Sequence, residues 1–154
     1  MQPAPDPDHR PADLHLTFLA SPPIIRENLA RMMVSMPLSG LSGTGRGTAE
    51  LVLAEVLNNI AEHAYSDQVG PVTVSVRDGA LGLDCLVVDQ GMPMPGGTLP
   101  DGSQSDRTGL ALADLPEGGF GWHLIRRLTR DLVYTRIAGT NRLSFLLPRD
   151  GELP

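Results

Sequence analysis

The chain has 154 residues, an apolar fraction of 41% and a formal net charge of −6, which fits a single domain with a core of its own. All 12 cationic side chains belong to arginine, so a Walker-type phosphate lysine, a eukaryotic-type kinase lysine and Schiff-base chemistry are excluded. The acidic balance argues against nucleic acid as the main partner.

The first 12 residues contain four prolines and are predicted to be a disordered lead-in. Because they resemble no signal peptide and no apolar run approaches the roughly 18 residues that span a bilayer, we expect a cytoplasmic protein without membrane contact. The single cysteine, Cys85, excludes an internal disulfide and is expected to be a buried structural thiol.

Alternation over residues 14–19 predicts a first strand. Ser21-Pro22-Pro23 then opens a predicted helix of about 13 residues whose methionines are expected to pack into the core, and Pro37 ends it. Residues 39–47 contain four glycines. They could form a dinucleotide-binding loop, but such a loop follows a strand, so a flexible connection between helices is favoured.

Residues 48–65 form the strongest predicted helix. One side is apolar, and the opposite side carries polar residues at helical spacing, namely Glu55, Asn59, Glu62 and His63. This polar side is either a solvated surface or a site. No cation balances its carboxylates, and Asn58 and Asn59 are poor helix formers. These two details weaken the interpretation as a solvated surface and leave both alternatives open. A carboxylate one turn before an amide oxygen suits Mg²⁺ with a general base beside it.

Two strands are predicted over residues 72–76 and 83–88, joined by a turn at Asp78-Gly79. Asp89 follows the second strand, where it is either a turn residue or a ligand contact. Residues 90–117 form a long loop of the kind used as a lid or binding loop. Glu117-Gly118-Gly119-Phe120-Gly121 then precedes a helix over residues 121–130, where backbone N–H groups could approach phosphates.

A final hairpin is predicted from strands over residues 132–137 and 142–147, with its turn at residues 138–141. Since hairpins dominate this order of elements, we predict an α+β fold, a two-layer sandwich with a mostly antiparallel mixed sheet and the helices on one face.

Three motifs in this order resemble the N, G1 and G2 boxes of the GHKL (Bergerat-fold) ATPase superfamily: Glu55-x-x-x-Asn59, Asp89-x-Gly91 and Gly118-Gly119-x-Gly121. Within that superfamily, the strings AEVLNNIAEHAY, VVDQGMPMP and PEGGFGWHLIRRLTRDLVY resemble anti-sigma-factor serine/threonine kinases of the RsbW type. The resemblance covers roughly residues 14–148, within a domain predicted at residues 13–149 and followed by a tail at 150–154.

The resemblance implies that the chain binds ATP and Mg²⁺. Asn59 would bind the metal, Glu55 would be the catalytic base, and Asp89 would accept the adenine amino group. Gly91 would let the adenine ring lie close to the backbone. His63 would contact the phosphates or ribose, or else it is simply a histidine at a helix end.

In the same comparison, Gly118, Gly119 and Gly121 would contact the phosphates, and residues 96–117 would form the ATP lid. The chain departs from gyrase-like members at residues 92–95, where Met-Pro-Met-Pro replaces their second glycine. Arg107 is the only cation between Arg77 and Arg126, so little cationic charge is available to balance phosphates.

Three functions follow from these observations. The first is a serine kinase that phosphorylates a STAS-domain anti-anti-sigma protein and thereby controls a sigma factor or other effector. The second is a nucleotide-responsive module that sequesters its partner without transferring phosphate. The third is a histidine-kinase catalytic domain that acts on a separate acceptor chain. A homodimer is expected by analogy with the family.

Overall fold

The computed structural model describes residues 13–100 and 119–150. Its strands and helices, in chain order, are β1 (Leu14–Leu19), α1 (Pro22–Met33), α2 (Gly43–Asn59), β2 (Pro71–Asp78), β3 (Leu83–Asp89), α3 (Gly119–Leu128), β4 (Arg130–Ile137) and β5 (Thr140–Leu147). Two short 3₁₀ turns lie at Leu38–Gly40 and Pro95–Gly97, and a π-helical turn at Ile60–Ala64 continues α2.

The five strands form one sheet in the order β1-β2-β3-β5-β4. Every pairing among these described strands is antiparallel, so the predicted α+β sandwich is confirmed and its sheet contains no parallel part. Because β5 inserts between β3 and β4, the C-terminal hairpin lies beside the end of β3. That placement brings Asp89 next to residues far along the chain.

One face of the sheet is buried under the helices. Alternate residues of β2 are inaccessible to solvent, namely Val72, Val74 and Val76, as expected when one face of a period-two strand packs on a core. Helix α2 contacts both α1 and α3, and its residues Leu53 and Leu57 are fully buried in the same core. Helix α2 therefore lies centrally on the sheet, and the side of it toward α3 is where the polar residues collect.

The glycine-rich segment before α2 is not the flexible connection that the sequence predicted. Gly43 to Gly47 form the first turns of α2, because Ser42 caps the helix by accepting a hydrogen bond from the Gly45 N–H at 3.0 Å. Gly45 is buried, and a Cβ on it would overlap the carbonyl of Arg149. A close backbone approach explains the glycine here, and Gly47 has open space around it.

The last turn of the α2 helix widens into the π-helical turn, a feature often found at functional sites. The carbonyl of Ala64, at its end, accepts a hydrogen bond from the Met92 N–H at 2.9 Å. A Cβ on Gly91 would overlap that same carbonyl. The loop that leaves β3 is therefore docked directly on the end of the helix, and only glycine fits at the point of contact.

Several predictions concern residues outside the described ranges: the lead-in over residues 1–12, Arg107, Gly118, most of the predicted lid and the last four residues of the tail. Within the described ranges, no helix is both long enough and apolar enough to cross a membrane.

Candidate functional site

A cavity of about 240 Å³ opens between the C-terminal half of α2, the end of β3 and the start of α3. Its polar lining comes from Asn59, His63, Asp89 and Asn141. The volume is below the roughly 300–1,000 Å³ typical of ligand pockets, so the cavity holds one ring system and leaves the rest of a larger ligand outside it. Of the residues predicted to form a site, three line this one space.

Asn59 is buried, with 6% of its surface exposed, whereas its neighbour Asn58 is exposed. Its Nδ2 has no hydrogen-bond partner among the described residues. A buried polar group without a partner costs about 1–3 kcal/mol. Such a cost is expected beside a cavity when a bound ligand supplies the missing hydrogen-bond acceptor for Nδ2.

Glu55 lies one turn before Asn59 and is partly buried. It does not line the cavity, but it lies directly beneath the start of α3. A Cβ on Gly121 would lie 2.6 Å from its Oε2 and 3.7 Å from Nδ2 of Asn59. Gly121 thus covers both side chains, and no ion pair involving Glu55 is formed within the described residues.

Asp89 is buried at the end of β3, with 6% of its surface exposed. Its Oδ1 accepts two hydrogen bonds of 2.8 Å, one from the Gly91 N–H and one from Nδ2 of Asn141. Of the two roles that the sequence left as alternatives, the turn role is present, since Oδ1 accepts the Gly91 N–H. Asp89 also lines the cavity, so the ligand contact remains a prediction.

Sequence reasoning missed Asn141, which it placed in a hairpin turn. The structure places Asn141 in β5, paired directly with Asp89 and buried with 5% of its surface exposed. The alternation Asn141, Leu143, Phe145 was the available signal, since residues two apart share a face of a strand. The same reasoning applies to Tyr134 of β4, whose hydroxyl donates to Oδ1 of Asn141 at 2.6 Å.

His63 lies on the π-helical turn and lines the cavity mouth. Its side chain is 57% exposed, and its Nε2 is 3.8 Å from the Glu62 carboxylate. The Glu62 side chain is exposed to a similar extent. Of these two residues, His63 belongs to the cavity lining and Glu62 does not.

The remaining lining is apolar. Apart from Tyr134, it comes from the loop after β3, from the buried Trp122 of α3, and from apolar residues of the helix and sheet. These residues are Met92, Pro93, Met94, Pro95, Val56, Ile60, Ala64 and Leu143. The segment that departs from the glycine-bearing pattern thus forms the wall of the cavity. An apolar slot with a buried carboxylate and amides at its inner end suits a flat ring that carries a hydrogen-bond donor.

The donor set also fits a hydrated magnesium ion better than a metal held by protein alone. The described residues contain no group of three or more His, Cys, Asp or Glu side chains placed to share a metal. Mg²⁺ usually keeps several waters and takes most other ligands from phosphates. Only the carbonyl oxygen of the Asn59 amide could contribute a ligand to such an ion, because the unpaired Nδ2 is an N–H donor.

Two further polar groups near the site are explained by burial. Partial burial raises the pKa of Tyr65, and the nearby Asp89 charge adds to the rise while the Gln90 N–H, which donates to the hydroxyl, opposes it. Cys85 is buried, as expected, and burial strongly raises the pKa of its thiol.

Comparison with known proteins gives one family and two similar proteins. Residues 21–146 match the family model described as the histidine kinase-like ATPase domain. A serine-protein kinase RsbW of Bacillus mycoides (strain KBAB4) is 29% identical over 83 residues, which cover 54% of this chain and 52% of that protein. The chain therefore matches about half the length of this curated relative.

Among solved structures, the crystal structure of the RsbU and RsbW domains of Rv1364c from Mycobacterium tuberculosis superposes with a TM-score of 0.54. The match covers 90% of this chain and 33% of that one at 17% sequence identity. At this identity the superposition establishes the shared fold.

Proposed function

The chain belongs to the histidine kinase-like ATPase domain family, and from that premise we propose that it is an ATP-dependent protein serine/threonine kinase. Its substrate would be a serine of a STAS-domain anti-anti-sigma protein, and a sigma factor or another effector would be the protein controlled. The similarity to a serine-protein kinase RsbW supports this assignment.

The observation that carries the proposal is the position of Glu55. A module that only binds nucleotide needs Asn59 and Asp89. It does not need the carboxylate of Glu55 beside Asn59. Glu55 is partly buried and covered by Gly121, and no cation pairs with it within the described part of the chain. A carboxylate left free in this way can accept a proton.

In the proposed reaction, Asn59 would hold the metal, Asp89 would accept the adenine amino group, and the backbone at Gly119 and Gly121 would face the phosphates. ATP would be the phosphoryl donor, and Mg²⁺ bound with it would neutralise the charge that develops on the transferred group. Glu55 would take the proton from the serine hydroxyl while the serine oxygen forms a bond to the γ-phosphorus. The bond from the γ-phosphorus to the bridging oxygen breaks, and ADP leaves.

The alternative that the site supports next is a nucleotide-responsive module that sequesters its partner without transfer. Its support is the limited cationic charge at the site: the lining of the cavity contains no lysine or arginine in the described ranges. A histidine-kinase catalytic domain acting on a separate chain has no comparable observation in its favour.

Phosphate transfer tests the proposal directly. The protein is incubated with Mg·[γ-³²P]ATP and a STAS-domain protein recovered with it by pull-down, and phosphoserine is measured together with ADP affinity. We expect transfer by the wild type. Glu55→Gln should keep ADP affinity and lose transfer.

Glu50→Gln is the matched control, because Glu50 is an exposed glutamate of the same helix as Glu55 outside the cavity lining, and its loss should change neither quantity. Transfer by Glu55→Gln at the wild-type rate would remove the base assignment. A wild type that binds both ATP and partner but transfers nothing would establish the sequestering module instead.

A further inference from the structure

The side chain of Asn141 has all of its hydrogen-bonding positions occupied. An asparagine amide offers two N–H donors and two lone pairs on its oxygen. Nδ2 donates to Oδ1 of Asp89 at 2.8 Å and to the Met92 carbonyl at 2.9 Å. Oδ1 accepts from the Tyr134 hydroxyl at 2.6 Å and from Nη1 of Arg136 at 2.8 Å. No position is left for a ligand.

These partners also fix the orientation of the amide. If the amide were rotated by half a turn, its oxygen would face the Asp89 carboxylate and the Met92 carbonyl, and its N–H groups would face the guanidinium of Arg136. Each of those contacts would be repulsive. Asn141, itself buried, is therefore held in one orientation, and its bond to Asp89 lies in the buried part of the network, where a lost partner costs most.

The consequence for Asp89 is that one of its two oxygens is fully used. Oδ1 accepts from both the Gly91 N–H and Asn141, and no described residue donates to Oδ2. Since Asp89 lines the cavity, Oδ2 is the acceptor available to a ligand. Asn141 determines which oxygen that is and prevents the carboxylate from rotating.

The same hairpin of β4 and β5 holds the cavity wall. Arg136 donates to the Gly91 carbonyl at 2.8 Å, Asn141 to the Met92 carbonyl, and the Tyr134 hydroxyl accepts from the Met94 N–H at 3.0 Å. Three side chains thus bind the backbone of residues 91–94. A segment without the usual second glycine is in this way kept in place with its apolar side chains lining the cavity.

We propose that Asn141 is a positioning residue that makes the site selective for an adenine amino group, with Tyr134 and Arg136 locking its amide. This proposal rests on the proposed ATP binding. It assigns selectivity to a residue that acts through Asp89 and that has no hydrogen-bonding position left for the nucleotide.

The test compares two nucleotides that differ only at the relevant group. The affinities of Mg·ADP and of the Mg²⁺ complex of purine riboside 5′-diphosphate, which lacks the 6-amino group, are measured by calorimetry. The wild type should prefer ADP at least tenfold. Asn141→Leu should raise the Kd for ADP by about tenfold, equal to about 1.4 kcal/mol, and leave the Kd for the analogue nearly unchanged.

A role in packing alone would raise both dissociation constants equally, and that result would overturn the proposal, as would no change in either. If Asn141→Leu does not fold, the ratio of the two dissociation constants is measured for Arg136→Ala instead. This variant removes the hydrogen bond from Arg136 to Asn141 and should lower the preference for ADP. Its matched control is Arg142→Ala, since Arg142 is an exposed residue of β5 outside the cavity lining. A folded wild type that binds neither nucleotide would instead refute the proposed function itself, and the inference with it.

Discussion

Replacing Gly121 with alanine should separate the stability of the domain from its activity. The added Cβ would lie 2.6 Å from Oε2 of Glu55, and an ordinary contact needs at least 3.4 Å. The carboxylate is the far end of a flexible side chain, so it can move away at little cost in folding energy. Asn59 is already at an ordinary distance, 3.7 Å, and need not move.

The magnitudes follow from these distances. Glu55 must shift by about 0.8 Å, and misplacement of a catalytic group by about 1 Å can cost on the order of 100-fold in rate. Alanine is favoured over glycine in a helix by up to about 1 kcal/mol, which corresponds to a rise in Tm of about 2–4 °C for a domain of this size. We therefore expect a variant that is at least as stable as the wild type and about 100-fold slower in phosphate transfer.

The assay measures thermal unfolding, ADP affinity and the initial rate of serine phosphorylation for Gly121→Ala. Gly47→Ala is the matched control, because it makes the same change in α2 where nothing lies within 4 Å. It should gain stability and keep the wild-type rate. If Gly121→Ala transfers phosphate as fast as Gly47→Ala, then Glu55 does not need its observed position and the reasoning is wrong.

Three further predictions follow from single contacts. Asn59→Leu removes an unpaired buried amide, so the free energy of unfolding without ligand should rise by about 1 kcal/mol while the rise in Tm caused by Mg·ADP disappears; a lower Tm without ligand would contradict the unpaired amide. Gly45→Ala places a Cβ against the backbone of Arg149 and should lower the free energy of unfolding, measured in urea, by about 3 kcal/mol, with unchanged stability counting against that contact. The raised pKa of Tyr65 means that the folded state holds this proton more tightly, so its stabilising contribution is complete below the ordinary tyrosine pKa near 10 and is lost as pH rises through the raised value. Tyr65→Phe should remove this part of the alkaline fall in stability in a urea series at increasing pH, and an identical alkaline profile for both proteins would refute it.

Much of the fold was predictable because short-range patterns specify it. The strand at Leu14–Leu19 was predicted to the residue, and β2, β3, β4 and β5 extend the predicted strands by one or two residues at an end. The resemblance to GHKL ATPases of the RsbW type is confirmed by the family match and the similar proteins. The glycine-rich start of α2 was wrongly predicted, because its helix depends on a cap and on a contact with residue 149.

The candidate site was predictable only in part. Glycines and polar residues at fixed spacing indicated Asn59 and Asp89, and the structure brings both to one cavity. The roles given to Asn59 and Asp89, like those given to Glu55, His63, Gly91, Gly119 and Gly121, remain predictions, and Gly118 lies outside the described residues. For Gly91 the structure adds a reason that the sequence did not contain, its contact with the carbonyl of Ala64.

The sequence by itself determined which residues share a face of a helix or strand, because that depends on periods of 3.6 and 2 residues along the chain. The tertiary structure decided which faces meet. Asn141 contacts Asp89 across 52 positions of sequence, and Gly121 covers Glu55 only because α3 packs on α2. Such pairings depend on strand order and on the fit of buried side chains, and local periodicity carries no information about either.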